Sequence, residues 1–262
     1  MASRPSGTLL LAEERRDRIE EILKVQNRIL VAEMAELMET SEVTIRKDLQ
    51  VLERRGVLKR VHRGAILVHN PTVIDLALLE KEHIHTREKD RIACKAAELI
   101  RDGEVIILDS GSTTTAIARA LKARTGLTII TNAINIAFEL AASKNQVILI
   151  GGVVRENSFS LVGPLSEEAL RSLTADKLFL GVDGIHCEYG LTTPNLQEAT
   201  INRMMLHSAT DVYVVADSSK IGRRSLGVIA EVRAAHHLIT DGQIKASDRQ
   251  SLQERGIEVI IV

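Results

Sequence analysis

The chain has 262 residues, room for a small module plus one larger domain at roughly 100 to 200 residues per domain, and its 34 Lys/Arg against 35 Asp/Glu leave a net charge of −1. With 45% hydrophobic and 26% charged residues it reads as a soluble globular protein able to bury a core. No run reaches the roughly 18 apolar residues a membrane span requires, which excludes a membrane-embedded chain.

At the N-terminus only Leu9, Leu10 and Leu11 form an apolar patch before acidic residues. That lacks the basic start and apolar stretch of a signal peptide, so a cytoplasmic location is expected. Cys94 and Cys187 belong to no Cys-x-x-Cys pair, which argues against a disulfide framework or a zinc site and predicts two buried thiols.

Ile19, Ile22 and Leu23, preceded by Leu11, recur at helical spacing and predict an amphipathic helix over 13–25. After Asn27-Arg28, the stretch Val31, Met34, Ala35, Leu37, Met38 predicts a short second helix, broken within three residues by Glu39-Thr40-Ser41. Ser41 is a good N-cap, because its hydroxyl can accept from free N–H groups of the next turn. Ile45, Leu49 and Leu52 then mark the buried face of a third helix over 42–54. Burying that face points Glu42, Thr44, Arg46 and Lys47 outward, as a recognition helix presents side chains to a major groove. Arg46 can bond guanine or phosphate in bidentate fashion, Lys47 can neutralise a phosphate, and Thr44 can bond a phosphate or touch a thymine methyl.

Gly56 stops this helix, and residues 57 to 68 alternate as a two-stranded hairpin, a wing whose Arg60, His62 and Arg63 would reach the flanking backbone or minor groove. Between Thr44 and Arg63 seven basic residues face only Asp48 and Glu53. The near-neutral total thus hides a local patch that attracts a phosphate backbone. A three-helix module with a basic face can also be a protein-protein domain, so the combination carries more than any single part.

Residues 69 to 86 join the halves. Their His83-Ile84-His85 could ligate a metal, but without a third ligand at suitable spacing solvent-exposed histidines are expected. A helix follows over 87–101. Beyond Gly103 apolar strands near 104–109, 127–131, 146–150, 177–182, 211–216, 236–240 and 257–261 alternate with helices near 113–124, 133–143, 165–173, 195–209 and 246–255. The pattern predicts an α/β domain with a largely parallel sheet, so the domains are 1–68, the linker 69–86, and 87–262.

Ligands of such sheets bind beyond the carboxyl ends of the strands. There Asp109, Ser110, Gly111, Ser112, Thr113, Thr114 and Thr115 make a hydroxyl-rich turn into a helix, an anion site by backbone N–H groups and helix dipole. Ser110 and Thr113 could instead merely cap the helix. The turn is neither a Walker A loop nor a Gly-x-Gly-x-x-Gly dinucleotide turn, and no cofactor is implied. Four more strand ends carry polar or glycine clusters: Thr131-Asn132, Gly151-Gly152, Gly181 to Gly184, and Asp217 to Lys220.

The run Ser41-Glu42-Val43-Thr44-Ile45-Arg46-Lys47-Asp48-Leu49 and the wing Arg60-Val61-His62-Arg63-Gly64-Ala65 resemble the DNA-binding domain of DeoR-family transcriptional regulators. That family usually has Gly-Gly where this chain has Arg63-Gly64, and an arginine costs turn freedom there if φ is positive. The strand-end clusters extend the resemblance to the family's sensor domain, which shares its fold with ribose-5-phosphate isomerase, glucosamine-6-phosphate deaminase and CoA transferases. The resemblance implies a repressor of a sugar-metabolism operon that binds double-stranded operator DNA as a dimer or tetramer, with a phosphorylated sugar as effector. It implies phosphate on Ser110 to Thr114, and polyol contacts from Thr131, Asn132, Gly152, Asp183, Glu198 and Lys220.

An isomerase or deaminase-like enzyme fused to a DNA-binding domain is the alternative, with Glu198 or Asp183 as base and Lys220 as cation. The enzyme relatives carry a Lys-Gly-rich loop after the aspartate strand. Residues 186–194 have no lysine, so binding without turnover is expected.

Overall fold

The computed structural model describes residues 12–26, 28–55, 57–67 and 75–262. Leu11, Asn27, Gly56, Val68 and residues 69–74 lie outside them, as do the side chains of Arg54 and Lys59. The chain divides into two compact units, one up to Ile74 and one from Asp75 to Val262.

In the first unit α1 (Ala12–Gln26), β1 (Arg28–Leu30), α2 (Val31–Leu37), α3 (Glu42–Arg54), β2 (Leu58–Val61) and β3 (Gly64–Leu67) follow in order. The predicted helices form because Ile19, Leu23, Met34, Ala35, Ile45, Leu49 and Leu52 fall on facing stripes and pack into one core with Ile29, Leu58 and Ala65. Leu37, expected in that core, is exposed instead. The hairpin is wider than predicted: β1 pairs antiparallel with β3, giving the order β1-β3-β2. Three residues are too few to show strand alternation in sequence.

The second unit is a three-layer α/β structure, and every neighbouring pair in its seven-stranded sheet is parallel. Its strands are β4 (Val105–Leu108), β5 (Thr125–Thr131), β6 (Lys144–Leu149), β9 (Ala175–Leu180), β12 (Ala209–Val215), β14 (His237–Thr240) and β15 (Glu258–Ile261), in the order β15-β14-β12-β9-β4-β5-β6. These are the seven predicted strands, the inner ones recognisable as apolar runs because both faces are buried, whereas the edge strands β6 and β15 are largely exposed or part-exposed. One face, with Ile106, Leu108, Ile129, Phe179 and Val215, packs on α5 (Thr86–Leu99), α6 (Ser112–Leu121) and α7 (Ile134–Leu140). The other, with Ile107, Ile130, Leu178, Leu180 and Val214, packs on α8 (Pro164–Arg171), α9 (Leu196–Ser208) and α10 (Ala246–Gln253).

Short strands missed in the sequence complete the unit. The hairpin of β7 (Val153–Arg155) and β8 (Ser160–Val162) follows β6, and β10 (Gly184–His186), β11 (Gly190–Thr193) and β13 (Gly227–Ala230) form a small antiparallel sheet. The unit also begins earlier than the expected 87. Residues 75–86, read as linker, belong to it and contain α4 (Leu78–Glu82), with Leu78 buried. Cys94, expected to be buried, is exposed on α5, and Cys187 is half-buried. Among the described residues no helix is long and apolar enough to cross a membrane.

Candidate functional site

Ser41 adopts extended backbone before α3 and its Oγ accepts from the Thr44 N–H at 3.1 Å, the predicted cap. The Thr44 hydroxyl lies 2.8 Å from the same oxygen. Glu42, Arg46 and Lys47 are exposed on the helix's outer face, and Arg46 Nη2 donates to Glu42 Oε2 at 2.7 Å. An exposed pair of this kind is worth only about 0.3–0.5 kcal/mol, so Arg46 can leave it at little cost for a phosphate or a base.

Asp48 is 2% exposed and accepts from Arg15 Nε at 2.6 Å and Arg16 Nε at 2.9 Å, tying α3 to α1. This anchor was invisible as anything but one negative charge in the patch.

Arg60 lies on β2, its main-chain N–H and Nε both donating to Glu53, at 2.8 and 2.6 Å. The tip of the wing is the two-residue turn His62-Arg63, both exposed. Arg63 is not among the positive-φ residues, so no glycine is needed there. Gly64 is needed for space: a Cβ would land on the Ile29 carbonyl oxygen of β1.

In the second unit the chain leaves β4 through α6 toward β5 on one side, and leaves β9 through α9 toward β12 on the other. Adjacent parallel strands whose connections diverge leave a crevice at their carboxyl ends, where open α/β sheets bind ligands. Asp109 to Thr114 follow β4 there, and Gly181 to Asp183 follow β9.

No side chain caps α6 among the described residues, and its N-cap residue is Gly111. Ser110 and Thr113 therefore do not act as caps. The Thr114 and Thr115 hydroxyls turn back onto the Gly111 carbonyl at 3.0 and 2.6 Å. An α-helix leaves its first-turn N–H groups without intrahelical acceptors and carries the positive end of its dipole there. Ser110, Gly111 and Ser112 are part-exposed, while Thr113 and Thr114 are buried.

Asp109 is buried beneath this turn. Desolvation, reinforced by the Glu198 carboxylate, pushes its carboxyl well above the ordinary 3.8, and backbone N–H groups of Ser110 and Gly181 offset part of the rise. Asn202, its amide oriented to suit its neighbours, donates to Asp109 Oδ1 and the Glu198 carbonyl, each at 3.1 Å.

Asp183 accepts from Lys81 Nζ, 2.8 Å from Oδ1, from Lys220 Nζ at 3.4 Å and from Thr193 Oγ1 at 3.4 Å. Burial alone would raise its carboxyl, but the two ammonium groups hold it far below the usual carboxylate range. Burial likewise opposes the charge on Lys81, and Asp183, Glu198 and Asp75 together outweigh it and raise that amine. Glu198 Oε1 accepts from Arg155 Nη1 and Ser160 Oγ, each at 3.0 Å, and Arg155 Nη2 pairs with Asp75. Lys89, 5% exposed, is lowered by burial to about 8 and donates to the carbonyls of Lys81 and, at 2.6 Å, Ile84.

The crevice thus brings together Asp109, Ser110 to Ser112, Asp183, Glu198 and Lys220 of the predicted effector residues. Thr131 and Asn132 follow β5 but are fully buried: the Thr131 hydroxyl accepts from the Ala133 N–H at 3.1 Å, and Asn132 donates to the Leu161 carbonyl at 3.2 Å. Gly152 has φ +154°, and a Cβ there would strike Ser166 Oγ and the Val162 carbonyl, so packing against α8 already demands glycine. Asp75, Lys81, Lys89 and Arg155 were missed; each is a lone charge in a polar stretch, with no periodicity to mark it.

A winged helix-turn-helix followed by a parallel α/β unit with a polar crevice at its switch point defines a DNA-binding regulator with a sensor domain. The family model described as the DeoR-like helix-turn-helix domain matches residues 15–70, and that of the DeoR C-terminal sensor domain matches 84–242. The chain belongs to the DeoR family of transcriptional regulators.

It is 37% identical to the putative aga operon transcriptional repressor of Escherichia coli O157:H7, over 95% of this chain and 93% of that one. It is 35% identical to the HTH-type transcriptional regulator GlpR of Haloferax volcanii (96% and 98%) and 34% identical to the HTH-type transcriptional repressor GlcR of Bacillus subtilis (95% and 96%). Ribose 5-phosphate isomerase A of Methanocaldococcus jannaschii aligns over 51% of this chain and 53% of its own at 20% identity and a TM-score of 0.39, a likeness too slight to carry function.

Proposed function

We propose that this regulator represses a carbohydrate-utilisation operon from the cytoplasm and that a phosphorylated sugar bound in the β4/β9 crevice lowers its affinity for operator DNA. The observation that carries the reading is the uncapped N-terminus of α6 opening at the switch point beside Asp183, Lys220 and Lys81. Phosphate sits on the N–H groups following Gly111, with Ser110 and Ser112 beside it. The polyol end meets Asp183, Lys220 and the Glu198 cluster. Arg46, Lys47 and the wing residues His62 and Arg63 contact the operator backbone and base edges. Relatives named as the putative repressor of the aga operon and the repressor of a lactose phosphotransferase system agree with a sugar-linked role.

Binding proceeds without turnover. The two carboxylates that could abstract a proton are committed to ion pairs, and the lysines beside Asp183 weaken it as a base. Lys81 does place a cation next to Asp183, the pairing an isomerase or deaminase would use, so purified protein incubated with sugar phosphates should be followed by NMR. Any interconversion would favour the enzyme reading.

The protein acts as a dimer or tetramer, since a change in half-site spacing needs at least two winged helices. Coupling of about 1–3 kcal/mol would change operator affinity roughly 5- to 150-fold. The test selects bound fragments from genomic DNA, then titrates them by fluorescence anisotropy with glucose 6-phosphate, fructose 6-phosphate, glucosamine 6-phosphate, ribose 5-phosphate and glycerol 3-phosphate. One of these should weaken binding and raise the melting temperature. A panel with neither effect would overturn the proposal.

A further inference from the structure

The charged groups of the crevice form two hydrogen-bonded chains, Lys220–Asp183–Lys81 and Asp75–Arg155–Glu198–Ser160. Each receives one member from residues 75–82, the first stretch of the second unit, which belongs to no strand of the sheet. Lys81 reaches Asp183 across 102 residues of sequence, and Asp75 reaches Arg155 across 80.

The other bonds that hold the segment are the Leu78 N–H to the Asn157 carbonyl at 2.6 Å, the Asn157 amide to the Asp75 carbonyl and Oδ2 at 3.5 Å each, Glu82 to Arg119 at 3.0 Å, the Thr86 hydroxyl to the Glu82 carbonyl at 3.2 Å, and Lys89 to the Lys81 carbonyl. In the chain it is also what leads on from the winged-helix unit, whose last residue is Ile74.

A polyol that bonds Asp183 and Arg155 needs the oxygen and nitrogen atoms these two clips occupy. A carboxylate shared between a ligand hydroxyl pair and two ammonium groups holds each less tightly, so ligand and segment compete for one set of atoms. Resting on the reading of the crevice as a sugar-phosphate site, we infer that Lys81 and Asp75 are its occupancy sensors: the bound polyol displaces them from Asp183 and Arg155 and frees residues 75–86.

Removing a clip should therefore imitate the ligand. Lys81→Met is expected to bind operator at least 10-fold more weakly than wild type with no sugar phosphate present. It should lose most of the remaining response, and bind the active panel compound as tightly as wild type or more tightly, because the competing contact is gone. Asp75→Asn is the second variant, breaking the other clip without touching Asp183, and should shift in the same direction if Lys81→Met does not fold. Amide hydrogen exchange in residues 75–86 of the wild-type protein should quicken with the active compound.

Wild-type operator affinity and full response in both folded variants would overturn the inference, as would loss of panel-compound binding in Lys81→Met, which would make Lys81 a plain ligand contact. If no panel compound acts on wild type, the sugar-phosphate reading fails by itself. Operator affinity of the ligand-free variants still decides whether the clips restrain the DNA-binding form.

Discussion

On α3 the charged side chains of Glu42, Arg46 and Lys47 stand in solvent, whereas those of Asp183, Glu198, Arg155 and Lys81 are drawn into a crevice and matched against one another. The first arrangement suits a partner that is itself a dense line of charge: loosely held side chains exchange a weak intramolecular pair for a phosphate. The second suits a small molecule of mixed polarity, for which every donor and acceptor must be placed in advance. Asp48 shows that the contrast follows burial rather than domain, since within the winged helix it is as closely matched as anything in the crevice.

The largest expected effect is at that exception. Asp48→Ala takes away the buried carboxylate through which Arg15 and Arg16 tie α1 to α3 and should cost the winged-helix unit about 3–5 kcal/mol, seen as an early urea transition while the α/β unit unfolds as before. An unchanged transition would mean the pairing is as dispensable as an exposed one.

Asp183→Asn comes next, at about 3 kcal/mol near neutral pH, because Lys81 and Lys220 lose their common acid. The folded protein holds this carboxyl below the ordinary 3.8, so its contribution is present above that value and is lost as pH falls through the folded-state value. Acid titration of stability should show wild type and variant converging below about pH 4. Parallel curves would remove the ion pairs from the account.

Arg46→Ala should weaken operator binding by about 1–3 kcal/mol and reduce the salt slope by about one, without changing the melting temperature. An unaltered slope would mean Arg46 meets no phosphate. Smallest is Ser41→Ala, which removes the acceptor for the Thr44 N–H and should cost about 1 kcal/mol of winged-helix stability.

The two units also differed in how much could be read in the sequence. Helix α3, its cap and its outward face follow from spacings of three and four residues, and the strands of the main sheet from apolar runs, buried on both faces in the inner strands. The crevice is assembled by topology: Asp183 meets Lys81 only because β9 ends where α4 lies, and a lysine between Glu80 and Glu82 looks like any solvated charge. Thr131 and Asn132 show the converse. A polar pair at a strand end resembles a ligand contact, and only the structure shows that the Thr131 hydroxyl also holds the turn into α7 and the Asn132 amide nitrogen the hairpin of β7 and β8.

The packing at Gly64 has a mechanical consequence. With β3 pressed onto the backbone of β1, the Val31 N–H bonded to the Arg63 carbonyl at 3.0 Å and α1 locked to α3 through Asp48, the wing and the recognition helix are parts of one stiff body. A stiff body cannot be detuned by reshaping its grip on a half-site. Control over such a reader has to act on where it is held, which makes the chain leading out of it the natural place for the signal to arrive.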